Sequence, residues 1–321
     1  MNDNNVLTCT KIISEVCEEW LSMERLIVKR STYAKYCNTV HKHIEPSLGA
    51  ISLTSITSTQ INTFIYEKLT NGRLDSTGPL SAKTVRDIYT VLKSIIKYAE
   101  NEYNLGGIAR NTVLPKKQAL EYKILTPKEQ RVLETHLRED PFHHRKVGML
   151  LCLYTGLRLG EICALRWQDI DFKARILSVR HTLQRVPITD TDNPEKTCIL
   201  LDSPKSASSV RIIPLTPPIV SILKKLRAGA APDTFVLTNR TDCIEPRNYQ
   251  YFFHKTLENL KLRKVNFHIL RHTFASRCVE AGFDVKTLSE ILGHSNTEIT
   301  LSYYIHTSMD NKRKQMELLR F

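Results

Sequence analysis

A polar stretch in the first half of the chain separates two regions of different pattern. Residues 106–117 contain two glycines, a proline and two lysines, without the apolar spacing of a helix or strand. Glycine and proline at this density disfavour a packed element. A chain of 321 residues is also long enough for about two domains. We therefore predict one domain over residues 8–110, a linker over 111–124 and a second domain over 125–321.

Apolar residues at helical spacing predict helices throughout residues 8–105. Short polar residues lie where these helices begin, and glycine or proline lies where the second and third end. Thr8 or Thr10 is the predicted cap of the first helix, and Pro46 with Gly49 is the predicted stop of the second. The predicted spans are 8–24, 32–44, 57–71 and 81–101. The first domain is thus expected to be a small helical bundle.

The second region mixes helical and strand-like patterns. Thr126 and Pro127 form a helix start signal, and Gly156 a helix stop signal. Further helices are predicted at 145–155, 159–165, 217–227 and 247–260, the last with Tyr251, Phe252 and Leu257 inside. A strand is predicted over 175–185, a hairpin pairs 198–202 with 209–214, and 234–237 is a short extended piece. The fold class is therefore mostly α with a small antiparallel β-sheet.

The charge of the chain favours a polyanionic partner. Lysine and arginine outnumber aspartate and glutamate by 46 to 33, giving a net charge of +13. Basic chains of this size commonly bind nucleic acid, and an ordinary solvated basic surface is the alternative. No run of about eighteen apolar residues predicts a membrane span, and the N-terminus lacks a secretory apolar core. We expect a cytoplasmic protein without a membrane partner.

Several site classes find no support in the sequence. There is no G-x-G-x-x-G motif, no P-loop and no paired carboxylates of a two-metal nuclease. The pairs His41 with His43 and His143 with His144 lack the further ligands that a metal site needs. The eight cysteines form no C-x-x-C pair, so we expect reduced structural thiols. We expect no metal and no cofactor.

Groups suited to phosphate chemistry are concentrated near the end of the chain. His268 and Arg271 are three residues apart, so on a helix they point to the same side. Asp284 and Gly293 predict the start and the end of a short helix. His294 would then lie on the turn that leaves this helix.

Candidates from three other places in the chain complete the set. Arg158 lies in Thr-Gly-Leu-Arg-Leu-Gly-Glu, where one predicted helix ends and the next begins. Lys205 lies in the turn of the predicted hairpin, and Tyr303 and Tyr304 lie on a predicted helix after His294. Such a set suits a phosphodiester that is held while a tyrosine oxygen attacks it.

The order of these groups along the chain resembles a known family. In sequence order the candidates are Arg158, Lys205, His268, Arg271, His294 and Tyr304. Their order and spacing resemble those of the tyrosine recombinases or phage integrases, most nearly the integrases of conjugative transposons and temperate phages. The resemblance is dense over 125–310 and looser over 8–110. It implies an N-terminal helical core-binding (SAM-like) bundle and a C-terminal α+β catalytic domain.

The resemblance implies a role for each candidate. Tyr304 would be the nucleophile that forms a 3′-phosphotyrosine without metal or ATP, and Tyr303 is the competing candidate. Arg158 and Arg271 would bind the non-bridging oxygens of the scissile phosphate. Lys205 would protonate the leaving oxygen.

The remaining polar groups are expected to support this reaction. His268 and His294 would form hydrogen bonds and handle protons around the same phosphate. Glu161 would orient a neighbouring active-site group, with a surface ion pair to Arg158 as the alternative. His272 and His306 are expected either to support the groups that touch the phosphate or to be structural.

The resemblance also implies partners. Double-stranded DNA with a target site is expected, bound by a tetramer that assembles from monomers. An accessory DNA-bending or excision factor is a further partner that the resemblance admits. Residues 309–320 would dock on a neighbouring subunit, or else pack on their own domain. Because the predicted bundle begins near residue 8, we expect no arm-binding domain before it. The residues expected to contact DNA phosphates are Lys29, Arg30, Lys35, Lys83 and Arg86.

Three functions remain open at this point. The favoured one is an integrase that inserts or excises a mobile element in the bacterial cytosol or nucleoid. A type IB topoisomerase-like enzyme would use the same residues to relax DNA as a monomer. A non-catalytic DNA-binding protein on the same fold would have no need of a phenol.

Overall fold

The computed structural model describes residues 10–75, 77–107, 111–116, 124–188, 195–203 and 207–297, with Arg313, Met316 and Glu317. The chain divides into two compact units. They comprise Met1–Leu120 with Val186–Cys198, and Glu121–Arg185 with Ile199–Phe321. Within the described ranges, no helix is both long and apolar enough to cross a membrane.

The first unit is a helical bundle, as predicted. Its helices are α1 (Ile13–Ile27), α2 (Arg30–Thr39), α3 (Glu45–Leu48), α4 (Ser58–Asn71) and α5 (Ala82–Glu102). Val16, Trp20 and Leu92 lie in its apolar core. The predicted starts of the last two helices are confirmed, since Thr57 and Ser81 are their N-caps: Thr57 accepts from the Gln60 N–H and Ser81 from the Thr84 N–H.

Two predicted helix ends in this bundle are wrong. The N-cap of α1 is Ile12, not Thr8 or Thr10, and Glu15 accepts its backbone N–H at 2.9 Å. Pro46 does not stop the second helix. Instead, a π-helical turn over Val40–Ile44 joins α2 to α3, and the helical segment ends at Gly49, as predicted. A wider turn suits this position because Pro46 has no N–H to donate and its ring clashes with the preceding turn of a regular α-helix.

The described part of the linker is attached to the first unit. Asn62 of α4 accepts the Val113 N–H at 2.9 Å, and Arg86 of α5 donates to the Pro115 carbonyl at 2.8 Å. Residues 111–116 form no helix or strand, as expected, but these hydrogen bonds hold them against α4 and α5. Polar side chains of two helices form hydrogen bonds with backbone groups that have no partner in a helix or sheet.

The second unit contains the remaining helices. They are α6 (Pro127–Glu139), α7 (His144–Thr155), α8 (Leu159–Ala164), α9 (Pro217–Arg227), α10 (Pro246–Asn259), α11 (Ile269–Glu280) and α12 (Val285–Leu292). The predicted start at Thr126 and stop at Gly156 are confirmed. Tyr251 is not inside, since it is 64% exposed. Tyr249 and Phe253 are buried instead, because they lie one turn apart on the inward face of α10.

The strands form two small sheets rather than the predicted arrangement. These strands are β1 (Ile170–Asp171), β2 (Ile176–Val179), β3 (Thr182–Pro187), β4 (Thr197–Asp202) and β5 (Arg211–Pro214). One sheet has the order β1-β2-β5, with both pairs antiparallel, and the other contains β3 and β4.

Two strand predictions are therefore wrong. The single strand over 175–185 is two strands, separated at Arg180 and His181, that belong to different sheets. The predicted hairpin of β4 with β5 does not exist, because β5 pairs with β2. This pairing places the two inward residues of β5 opposite buried residues of β2: Arg211 opposite Val179, and Ile213 opposite Leu177. The fold class itself, mostly α with small antiparallel sheets, is confirmed.

Candidate active site

The site is organised around the C-terminal end of α12. Gly293 follows this helix with φ +66°, the left-handed conformation in which glycine avoids a Cβ clash. The His294 N–H donates to the Ser289 carbonyl and the Gly293 N–H to the Glu290 carbonyl, both at 3.1 Å. This pair of bonds is a Schellman motif. It confirms the predicted helix end and places His294 on the exit turn.

Three arginines bind the next three carbonyls. The contacts are Arg211 Nε to Ile291 O (2.6 Å), Arg271 Nη2 to Leu292 O (2.7 Å) and Arg158 Nη2 to Gly293 O (3.1 Å). The end of a helix carries partial negative charge on carbonyls that lack intrahelical donors. It therefore attracts cations from distant segments. We call Arg158, Arg211 and Arg271 the arginine cluster.

Arg271 also joins this helix end to another one. Its Nη1 donates to the carbonyl of Gly156 at 2.8 Å, and Gly156 ends α7 with φ +67°. The residue is 2% exposed, whereas 32% of the Arg158 side chain is exposed. Arg271 therefore holds two helix ends together, and Arg158 is the member of this pair that solvent reaches.

Glu161 is the carboxylate that faces the cluster. It accepts two hydrogen bonds from the Arg211 guanidinium, at 3.0 and 2.8 Å, and one from Arg158 Nη1 at 2.7 Å. Burial alone would raise the pKa of Glu161, but hydrogen bonds and charge from Arg211 and the charge of Arg158 lower it to about 2. Three guanidinium groups with one carboxylate leave two positive charges among these described residues. Such a surplus suits an anion.

Removing the Glu161 carboxylate should destabilise the second unit strongly. Glu161→Ala would leave the buried guanidinium of Arg211 without its counter-ion, so we expect a loss of about 3–5 kcal/mol in the free energy of unfolding. Urea unfolding followed by tryptophan fluorescence in a Trp20→Phe background measures this loss. The remaining tryptophan, Trp167, is buried in the second unit and so reports on that unit.

Glu129 provides a matched control. It also accepts an N-cap N–H, from Thr126 at 2.8 Å, and pairs with an arginine, Arg263, at 2.7 Å, but this ion pair reaches solvent. We expect Glu129→Ala to cost about 1 kcal/mol. Equal losses for the two variants would contradict the importance of the buried pair.

Three histidines lie close to the arginine cluster. His268 precedes α11 and its ring lies 4.7 Å from that of His272, centroid to centroid. Part of His268 reaches solvent, but desolvation by the protein packed around its ring, then His272, then the charges of Arg271 and Arg158 lower its pKa to about 4. Burial and the charge of Arg271 lower the pKa of His272 to about 4. These imidazoles are therefore neutral at pH 7.

The pKa of His294 is lowered further than those of the other two histidines. Burial and then the charges of all three cluster arginines lower its pKa to about 3. A neutral imidazole accepts a proton or a hydrogen bond, and it does not repel the arginines beside it. The cluster therefore provides fixed positive charge, and the histidines provide groups that exchange protons.

The lowered histidine pKa values predict that acid weakens the fold. In the unfolded chain histidine titrates near pH 6.5, so below that pH the unfolded state binds more protons than the folded state. Stability should fall between about pH 6.5 and the folded values near 4 and 3. We expect His294→Asn to reduce the slope of unfolding free energy against pH in this range, because it removes the imidazole whose pKa is lowered most. An unchanged slope in His294→Asn would contradict this assignment.

The structure brings together only part of the predicted set. Arg158, Glu161, His268, Arg271 and His294 meet around the end of α12. The predicted candidates Lys205, Tyr303, Tyr304 and His306 and most of residues 309–320 lie outside the described residues. Their assigned roles remain predictions.

Arg211 is the cluster member that the sequence reasoning missed. It occupies an inward position of β5, which alternates buried and exposed residues, and its side chain is 4% exposed. A charged residue at an inward position of an apolar strand was the available signal. Such a residue needs a buried partner, and here the partner is Glu161.

The predicted DNA-contact residues lie on two helices of the first unit. Lys29 immediately precedes α2, which contains Arg30 and Lys35. Lys83 and Arg86 lie near the start of α5. Lys35 Nζ lies 3.7 Å from Asp87 Oδ2 of α5, which makes the two helices neighbours. Arg86 donates one hydrogen bond to the Pro115 carbonyl of the linker. Arg30, Lys35 and Lys83 are exposed.

Comparison with protein families identifies the chain. Residues 123–311 match the phage integrase family, and residues 12–69 match the N-terminal SAM-like domain of phage integrases. The chain belongs to the phage integrase family. The resemblance stated from the motifs is confirmed, and so is the enzyme class, a tyrosine-type site-specific recombinase.

Individual relatives agree with the family assignment. A XerC-like tyrosine recombinase of Caldanaerobacter subterraneus subsp. tengcongensis is 29% identical, over 96% of this chain and 82% of its own. The ICEBs1 integrase of Bacillus subtilis is 24% identical, over 90% and 77%. The transposase of transposon Tn916 from Enterococcus faecalis is 26% identical over 68% of this chain, but only 55% of its own length is matched.

Solved structures of family members share the fold. The Tn1549 transposon integrase in complex with a circular intermediate DNA superposes with a TM-score of 0.78 at 22% identity, over 97% of this chain and all of that chain. The λ integrase tetramer bound to a Holliday junction has a TM-score of 0.62 at 19% identity, over 89% and 78%. At this identity the likeness establishes the architecture.

Proposed function

We propose that this member of the phage integrase family cuts and rejoins DNA strands through a 3′-phosphotyrosine intermediate, and so integrates or excises a mobile element. The arginine cluster carries this proposal. It places two surplus positive charges beside His268 and His294, at a helix end from which the chain continues to Tyr304. A phosphodiester is the DNA group that matches such a site.

The proposed reaction exchanges one phosphoester for another. The Oη of Tyr304 attacks the phosphorus, and the bond from phosphorus to the 5′-oxygen breaks. Neutral His268 accepts the phenol proton, and Lys205 protonates the leaving 5′-oxygen. A 5′-hydroxyl from another strand then reverses the attack and releases the tyrosine. Because the bond energy is retained, ATP is not required.

The arginines stabilise the charge that develops on the phosphorane. Arg158 and Arg271 are assigned to the non-bridging oxygens. The side chain of Arg158 is partly exposed in the free protein, so a DNA phosphate can reach it directly. The hydrogen bonds of Arg158 to Glu161 and to Gly293 fix the plane of its guanidinium before DNA binds. Preorganised donors of this kind stabilise the transition state more than the ground state.

We assign the DNA-binding role of residues 8–110 to their basic helices. Phosphate contacts from Arg30, Lys35 and Lys83 would position a duplex without reading its sequence. Residues 111–124 are assigned as the linker and 125–321 as the catalytic domain. The λ integrase tetramer on a Holliday junction supports a homotetramer of this chain on DNA. The wild-type chain is expected to act in the cytoplasm.

A covalent-adduct assay tests the function. The probe is a nicked duplex cloned from the DNA on either side of the gene, incubated with the protein in a chelator without ATP and resolved by denaturing electrophoresis. We expect a protein–DNA adduct, followed by joined strands from two different DNA molecules. Adduct without joined molecules, together with relaxation of a supercoiled plasmid that carries the same site, would favour a type IB topoisomerase-like enzyme. Binding without any adduct would favour a non-catalytic DNA-binding protein.

A further inference from the structure

Arg211 uses its guanidinium in three directions at once. Its Nε donates to the Ile291 carbonyl at 2.6 Å, its Nη1 to the Ser209 carbonyl at 3.1 Å, and Nη1 and Nη2 both bind Glu161. Its side chain is 4% exposed, and its Nε, Nη1 and Nη2 all donate to protein groups, two of them to the carboxylate of Glu161. A buried arginine with this many fixed partners determines where those partners lie.

We propose that Arg211 is a positioning residue for strand cleavage, which sets the geometry of Arg158 and of the turn that carries His294. This inference rests on the proposed function, because it concerns the same phosphate site. Arg211 acts through other residues and is not a catalytic residue itself.

The first connection runs through Glu161. One face of this carboxylate binds Arg211, and the same two oxygens accept the side chain of Arg158 at 2.7 Å and its backbone N–H at 2.9 Å. Without the bidentate partner the carboxylate would be free to rotate toward Arg158. The guanidinium of Arg158 would then lose the orientation that its bond to Gly293 defines.

The second connection runs through the helix end. A Cβ on Gly293 would lie 2.9 Å from the Arg211 Cδ and 3.0 Å from the Ser208 carbonyl oxygen. The aliphatic stem of Arg211 thus packs directly on the turn, while its Nε binds the Ile291 carbonyl. His294 follows in the chain, so its position depends on this packing.

Lysine is the informative replacement. It keeps the positive charge beside Glu161, but its single ammonium cannot bind a carboxylate bidentately and reach the Ile291 carbonyl in another direction. Arg263→Lys is the matched control, because Arg263 pairs with Glu129 in the same unit at a solvent-exposed site.

The test measures single-turnover adduct formation at saturating nicked DNA, together with the DNA dissociation constant and thermal unfolding of each variant. For Arg211→Lys we expect a cleavage rate at least about tenfold lower with unchanged DNA affinity, since misplacing a reacting group by about 1 Å has a large effect on rate. Arg263→Lys should retain the wild-type rate. A folded Arg211→Lys protein that cleaves at the wild-type rate would overturn the inference.

A second variant covers the case in which Arg211→Lys does not fold. The double change Arg211→Met with Glu161→Gln removes both charges of the buried pair, an exchange that proteins commonly tolerate. It should fold and still cleave slowly, and a wild-type rate would overturn the inference. If wild-type protein forms no adduct at all, the proposed function fails and this inference fails with it. An adduct with unaffected Arg211 variants removes only the inference.

Discussion

Tyr304→Phe is expected to abolish the covalent protein–DNA adduct completely, while Tyr303→Phe retains it. Phenylalanine has the shape of tyrosine but no oxygen to attack phosphorus, so no phosphotyrosine forms. The Tyr-x-His register of Tyr304 with His306 favours it over its neighbour. The measurement is denaturing electrophoresis after incubation with the nicked duplex.

DNA affinity is the control for this pair of variants. Because one oxygen contributes little to binding compared with the phosphate contacts, both variants should bind the duplex as the wild-type protein does. Equal adduct from both variants would remove Tyr304 as the nucleophile. Loss of adduct in Tyr303→Phe alone would transfer the role to Tyr303.

Arg271→Lys should lower the cleavage rate by about 10²–10³, the usual cost of losing one preorganised donor to a developing oxyanion. A single ammonium cannot bind the carbonyls of Gly156 and Leu292 together, so the ends of α7 and α12 would lose their shared clamp. The rate is measured in a single turnover at saturating DNA. Melting temperature should also fall, since at least one buried carbonyl loses its donor.

Arg131→Lys is the matched surface control. Arg131 also donates to a carbonyl, that of Pro127, but it is exposed on α6. The control variant should keep both the wild-type rate and the wild-type melting temperature. A normal rate in folded Arg271→Lys would contradict any part for Arg271 in the transition state.

The parts of the site that the sequence predicted depend on local chemistry. Asp284 and Gly293 predicted the two ends of α12, because an N-cap and a left-handed glycine are recognised from the few residues around them. The same holds for Thr126 and Gly156. Arg158 was correctly placed between two helices for this reason.

The missed parts depend on contacts between distant residues. Nothing near β5 indicates that it pairs with β2 instead of β4, because both alternatives bury the same apolar face. With that pairing unknown, Arg211 and Glu161, which are 50 residues apart, could not be recognised as partners. The wrong hairpin and the missed arginine thus have one cause.

The central claim is that Arg158, Arg271, His268 and His294 surround one scissile phosphate. The most direct test is a structure of Tyr304→Phe bound to its uncut DNA site. We expect a non-bridging oxygen within about 2.7–2.9 Å of an Arg158 nitrogen, with the three arginine bonds to the end of α12 retained. A bound duplex whose phosphates all lie away from the arginine cluster would contradict the account.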